Sequence, residues 1–151
     1  MQWSAGRNGG FSSAPPRRLI QRPVPDAYGP DRVNVRQQKR DPDSLWTFMR
    51  TLIQTYRDCP ELGWGEFRVL RQPHREILAH ECSWQGSSTV ALHNLSPHPV
   101  TTRLELETEH EVWLDDLFAH ESIQTDPQGT AELALDGYGH RWLRVRASES
   151  R

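Results

Sequence analysis

The chain has 151 residues, a formal net charge of −2 and a pI near 6.4. Hydrophobic residues make up 35% and charged residues 25%, a polar, soluble composition that leaves a modest core and room for one domain, or one small domain with an irregular arm. This balance excludes an electrostatic case for nucleic acid or an anionic membrane, and no apolar run approaches the roughly 20 residues that span a bilayer.

Residues 1–40 are dense in Gly and Pro, with Gly9-Gly10, Pro15-Pro16, Pro23, Pro25 and Gly29-Pro30. Such a stretch breaks regular elements and reads as a long loop packed against something larger. Its first residues, Met1-Gln2-Trp3-Ser4, contain no apolar h-region, so no signal peptide is expected. Residues 41–58 read as a helix, with Asp41 as N-cap, Pro42 at the first helical position and Asp43 favourable to the dipole. Leu45, Phe48, Met49, Leu52, Ile53 and Tyr56 form one apolar stripe at helical period, and Pro60 and Gly63 stop the element. A stripe this wide needs a partner surface.

Residues 64–146 read as short strands: Glu66–Arg71, Glu76–Cys82, Ser88–His93, Val100–Leu106, Val112–Leu117, Thr130–Leu135 and Arg141–Val145. Turn signals at Gln72-Pro73, Gln85-Gly86, Ser96-Pro97, Asp126-Pro127-Gln128-Gly129 and Asp136-Gly137 separate them. Alternation is plain in Leu104-Glu105-Leu106-Glu107 and Glu132-Leu133-Ala134-Leu135. The expected fold is therefore mainly β: an antiparallel β-sandwich of about seven strands, preceded by one amphipathic α-helix and an irregular N-terminal arm.

Several segments occur in a telling order: Met1-Gln2-Trp3-Ser4, Asn8-Gly9-Gly10-Phe11-Ser12, Val33-Asn34-Val35, Gln38, Asp41-Pro42-Asp43-Ser44-Leu45, then Arg50, Leu52-Ile53, Arg57 and Pro60. Together they resemble the end of the catalytic barrel in the α-amylase superfamily. Leu92-His93-Asn94-Leu95-Ser96 and Gly137-Tyr138-Gly139-His140-Arg141-Trp142-Leu143 are similar to that family's C-terminal domain. Pro25-Asp26-Ala27-Tyr28-Gly29, running into Val33-Asn34-Val35, looks like the trehalose synthase branch rather than a generic α-glucosidase. The resemblance divides the chain into a loop and last helix of a (β/α)8 barrel over 1–58 and a C-terminal β-sandwich over 59–151. In the family, the nucleophile, the acid–base carboxylic acid and a third carboxylate lie on barrel strands upstream of the Met-Gln-Trp loop. The resemblance therefore implies a part of a maltose-, trehalose- or α-glucan-metabolising enzyme that supports a barrel, with no catalytic residue of its own.

Other constellations read as structural. Glu105, Glu107, Glu109 and Glu111 fall on alternate positions and would share one solvated strand face, and Asp115-Asp116 mark a strand end or bend. None of the seven histidines makes a His-x-x-x-His pair, and Cys59 and Cys82 are not a Cys-x-x-Cys pair. No metal and no cofactor is expected. The two cysteines make no disulfide framework, which implies a reduced, cytoplasmic setting.

As part of a complete enzyme, the first loop would border the active-site mouth. That makes Trp3, Asn8 and Phe11 the candidates for a substrate-side surface facing α-glucan or maltose. Trp64, Trp84 and Trp113, if exposed together, would instead form the stacking platform of a free carbohydrate-binding module. A truncated, non-functional remnant is a further alternative. The expected partner is a catalytic-barrel polypeptide, or another copy of the chain, through Leu45, Phe48, Leu52 and Ile53; an uncovered stripe of this kind favours self-association.

Overall fold

The computed structural model describes residues 2–147. The chain forms two compact units divided between Thr55 and Tyr56.

In the first unit, three single-turn 3₁₀ segments (Arg7–Gly10, Pro16–Arg18, Asp26–Tyr28) punctuate the Pro- and Gly-rich arm. A one-turn helix α1 (Val35–Gln38) follows, capped by Asn34, whose side chain accepts the Gln37 N–H. The long helix α2 runs from Leu45 to Arg57, so it starts later than the sequence suggests. Ser44, not Asp41, is the cap: its Oγ accepts the Thr47 N–H at 3.2 Å. The Asp41 carboxylate is spent on a local turn, accepting the Asp43 N–H at 2.9 Å. No residue of α2 is buried.

The second unit begins with a short helix α3 (Glu61–Trp64) and continues through β1 (Glu66–Leu70), β2 (Ile77–Trp84), β3 (Ser87–Asn94), β4 (Val100–Glu105), β5 (Val112–Asp116), β6 (Ser122–Gln124), β7 (Thr130–Leu135) and β8 (His140–Ala147). All pairings are antiparallel. A six-stranded sheet has the order β1-β2-β3-β8-β5-β6, and β4 and β7 pair as a two-stranded sheet. β6 has three residues with one apolar member, Ile123, too short to show a period. The β2–β3 hairpin turns on Gln85-Gly86, both at positive φ (50° and 81°), as a two-residue primed turn requires.

The two sheets share one hydrophobic core. Ile77, Ala79, Val90, Leu92, Leu114 and Leu143 come from the larger sheet, and Leu104, Ala131, Leu133 and Leu135 from the smaller. The period-two alternation of β7 puts Ala131, Leu133 and Leu135 inward and Glu132 and Ala134 outward. On the larger sheet's other face, two further buried residues, Cys82 and Thr89, are direct cross-strand partners. They are covered because α3 packs there: Thr89 Oγ1 donates to Glu61.

Of the alternating glutamates, Glu105 alone lies within a strand: β4 ends there, and Leu106, still buried, sets its N–H on the Gly129 carbonyl at 3.0 Å. Glu107 pairs with Arg68, and Glu111 accepts from the Gln124 side chain at 2.9 Å. Asp115 and Asp116 do close β5.

Candidate functional site

The first-unit loop is built by backbone geometry. Asn8, Gly9 and Gly10 all have positive φ (55°, 65° and 79°), which folds the chain so that the Trp3 and Ser4 N–H groups both reach the Gly9 carbonyl at 2.8 and 3.1 Å. A Cβ at Gly9 would stand 2.9 Å from Cγ of Gln2, so a side chain is excluded there. The Gln2 carbonyl accepts the Val35 N–H at 2.8 Å, and buried Asn34 donates to the Pro30 carbonyl at 2.8 Å. These contacts lock the loop onto the start of α1.

On this frame Trp3 and Phe11 are exposed, 57% and 59%. Asn8 is differently placed: its side-chain amide donates to the carbonyls of Ser12 and Ala14, both at 2.8 Å, so its N–H groups organise the loop. Phe11 lines a cleft of about 620 Å³ with Pro23, Val24, Tyr28, Val33 and Leu45; Trp3 does not. The cleft is apolar and is the natural seat for an apolar surface.

In the second unit, the structured centre is the anchor of α3. Glu61 is 1% exposed. It accepts from Thr89 on β3 and faces Arg144 of β8, with Nη2 at 3.8 Å. Arg144 also donates to the Asp58 carbonyl at 2.8 Å and to the Cys59 sulfur at 3.1 Å. Two strands and the segment that enters the domain are thereby tied at one point. Burial pushes the Cys59 thiol up, partly opposed by Arg144, and burial together with Glu61 and Glu81 pushes up Cys82. Both thiols are therefore protonated and poor nucleophiles near neutrality.

The loop after β5 has its own anchor. Burial would push the Asp116 carboxyl up, but the Ala119 N–H, Arg141 and the Phe118 N–H outweigh it and hold it below the ordinary range. Arg141 Nε donates to Asp116 at 2.7 Å, and this clamp presents Phe118 on the outward face of the sheet, edge-on to His140.

The tryptophans do not form a platform. Trp64 is 79% exposed at the end of α3. Trp84 is half-buried on β2, and Trp113 is half-buried on β5 under the Arg146 guanidinium. β3 and β8 lie between those two strands. A second cleft, about 610 Å³, is lined by Arg68, Arg71, Arg103, Glu105 and Glu107 and has no aromatic wall for a sugar ring to stack on. Its two carboxylates are paired, Glu107 with Arg68 and Glu105 with Arg103. Among the described residues no group of three His, Cys, Asp or Glu side chains is placed to hold a metal ion.

Glu61, Arg144 and His80 carry no site signal in the sequence, and Asn34, His93 and His140 stand out there only as members of longer segments. Glu61 and Arg144 act through partners 28 or more positions away, Asn34 through a backbone carbonyl, and the histidines through rings on neighbouring strands. The only local cue was Glu61 just after Pro60, which suits the first turn of a helix.

The second unit is thus two antiparallel sheets of six and two strands on one core, entered through the short helix α3. Residues 86–144 match the family model of the sucrose hydrolase-like C-terminal domain. Among solved structures, the trehalulose synthase MutB of Pseudomonas mesoacidophila shares the fold with a TM-score of 0.68 at 21% identity, over 96% of this chain and 24% of that one. The chain is 31% identical over 153 residues to a trehalose synthase/amylase of Mycobacterium tuberculosis, covering 99% of this chain and 26% of that protein. It is 35% identical over 131 residues to a salivary α-glucosidase of Anopheles gambiae, covering 84% of this chain and 20% of that protein. The chain thus corresponds to the C-terminal part of α-amylase-family enzymes of the trehalose synthase type, and it spans about a quarter of the length of the relatives it matches. No described helix is long and apolar enough to cross a membrane.

Proposed function

We propose that this chain is the C-terminal brace of an α-amylase-family enzyme acting on maltose, trehalose or α-glucan, a β-sandwich that supports a catalytic barrel and does no chemistry itself. The observation that carries this reading is α2. Leu45, Phe48 and Ile53 are 60%, 41% and 52% exposed, and no residue of the 13-residue helix is buried. A helix with an apolar stripe and no buried face is one that a further surface is meant to cover. The apolar cleft beside Phe11 and Leu45 belongs to the same unit and suits the same purpose.

The reading assigns that cover to a catalytic-barrel polypeptide, with a second copy of the chain as the substitute when the barrel is absent. Trp3 and Phe11 would then stand on the substrate side, where α-glucan or maltose enters. Two buried free cysteines fit a reducing cytoplasm. The paired and scattered carboxylates fit a role without glycosidic chemistry.

Sedimentation equilibrium of the isolated chain tests the stripe. Mass rising with concentration is expected for the wild type. A combined Leu45→Ser, Phe48→Ser, Leu52→Ser, Ile53→Ser variant is expected to be monomeric with unchanged strand content by circular dichroism. A wild type that stays monomeric at high concentration overturns the docking role of α2.

A further inference from the structure

The outward face of the six-stranded sheet carries a row of rings that the bracing role does not use. Phe67 of β1 meets His80 of β2, which stacks on His93 of β3, which stacks on His140 of β8; Phe118 then bridges His140 and Trp142. The His80 and His93 centroids are 6.2 Å apart with planes 9° from parallel, and those of His93 and His140 are 6.3 Å apart at 21°. Strand register creates the row: His93 opposes Leu78 on one side and His140 on the other, and His80 opposes Val69 and Ala91. All three imidazoles are half-buried, and Phe67, Val69 and Leu78 beside them are exposed.

Stacked imidazoles at this spacing suit the neutral form. A proton on one ring repels a proton on the next across a half-buried gap that water screens poorly. The charged groups around His80 and His93 do little to offset this. β1 supplies only Phe67 and Val69 at its outward positions, and β3 only Thr89 and Ala91 beside His93. On β2 the outward neighbours are Leu78 and the protonated thiol of Cys82, with Glu76 at the position before the strand. On β8 the neighbours are Trp142 and Arg144, a further positive charge, held by Asp58, Cys59 and Glu61. From β5, Asp115 is paired with Arg146, and Asp116 is turned to Arg141 and the loop N–H groups. Exposed His120 follows in the Phe118 loop, and exposed Asp136 lies in the turn before β8. Burial lowers His80; burial, followed by the charges of His80 and His140, lowers His93.

We propose that the His80–His93–His140 row is a proton-operated switch: at neutral pH it keeps this sheet face uncharged and tightly stacked, and in mild acid it turns the face cationic and loosens the sheet. The idea goes beyond the bracing role and does not depend on it. Above the ordinary imidazole value of 6.5 neither the folded nor the unfolded chain carries protons on His80 and His93, and their stacking costs nothing. As pH falls through that value, the unfolded chain takes up protons that folded His80 and His93 refuse, so stability drops. The loss levels off once these two are themselves protonated in the folded chain.

Proton NMR of the wild-type chain from about pH 8 to about pH 4.5 reads the imidazole titrations directly, spanning the ordinary histidine range. His80 and His93 are expected to titrate below 6.5. The His80→Gln variant, which keeps a polar side chain of similar reach in the row and removes the charge, is expected to move the His93 titration upward. Urea unfolding at the two ends of that range provides the second readout. The unfolding constant is expected to rise about tenfold in acid for each unit by which His80 or His93 is depressed. That rise should persist in His120→Gln, an exposed control, and shrink in His93→Gln. A wild-type His93 titrating at or above 6.5 overturns the proposal without any variant, and so does an acid loss in His93→Gln equal to that of the wild type.

Discussion

Leu133→Ala is expected to cost the second unit about 3–5 kcal/mol, the upper range for a leucine emptied from a core that cannot collapse around the gap. Leu133 is fully buried on β7. β7 pairs only with β4, and a two-stranded ribbon has little stability of its own. What holds this ribbon to the six-stranded sheet is the apolar layer of Leu104, Ala131, Leu133 and Leu135 against Leu92, Leu114 and Leu143. A cavity at the centre of that layer removes contacts from both sheets at once, so relaxation cannot refill it from one side. Urea unfolding followed by circular dichroism measures the loss. Ile20→Ala, at a fully exposed position of the first unit, is the control and is expected within about 0.5 kcal/mol of wild type. A Leu133→Ala protein as stable as that control would mean the ribbon is not held by the shared core.

Glu61→Ala carries the second large effect, about 2–4 kcal/mol. The carboxylate is buried, accepts from Thr89 and faces Arg144. Its removal leaves the Thr89 hydroxyl without its acceptor and takes from Arg144 the carboxylate it faces. Because Arg144 is 40% exposed, water takes over part of the lost pairing and the cost stays below that of a fully enclosed ion pair. Glu61→Gln keeps the shape and an acceptor for Thr89, so it is expected to lose about 1 kcal/mol. A double-mutant cycle with Arg144→Met isolates the pair, with an expected coupling of about 1–2 kcal/mol. Zero coupling would show that α3 is held by packing at Cys59 and Cys82 and not by this polar contact.

Sequence made the periodic elements legible. The apolar stripe of α2, the alternation of β7 and the Gln85-Gly86 turn are local patterns, and local patterns survive into the fold. The start of α2 did not, because Asp41 and Ser44 are both good caps, and the competition was settled by the Asx turn of Asp41, whose carboxylate accepts the Asp43 N–H. β6 was invisible at three residues. The glutamates from Glu105 to Glu111 alternate like a strand, yet the chain leaves the sheet at Leu106. In the candidate loop Trp3 and Phe11 are exposed, whereas the three successive positive φ values that turn Asn8 inward leave only a Gly-Gly pair as their signature. The histidine row and the Glu61 anchor needed cross-strand register, which no single stretch of sequence encodes.

The proposed role of this chain is to support α-amylase-family chemistry without performing it. Its most direct test is incubation of the purified 151-residue chain with maltose, with chromatography of glucose, trehalose and longer oligosaccharides. No product above a protein-free control is the predicted result. Turnover of maltose that follows the protein through purification would contradict the account and would make carboxylates such as Glu105 and Glu107, assigned here to arginine pairs, the first candidates for catalysis.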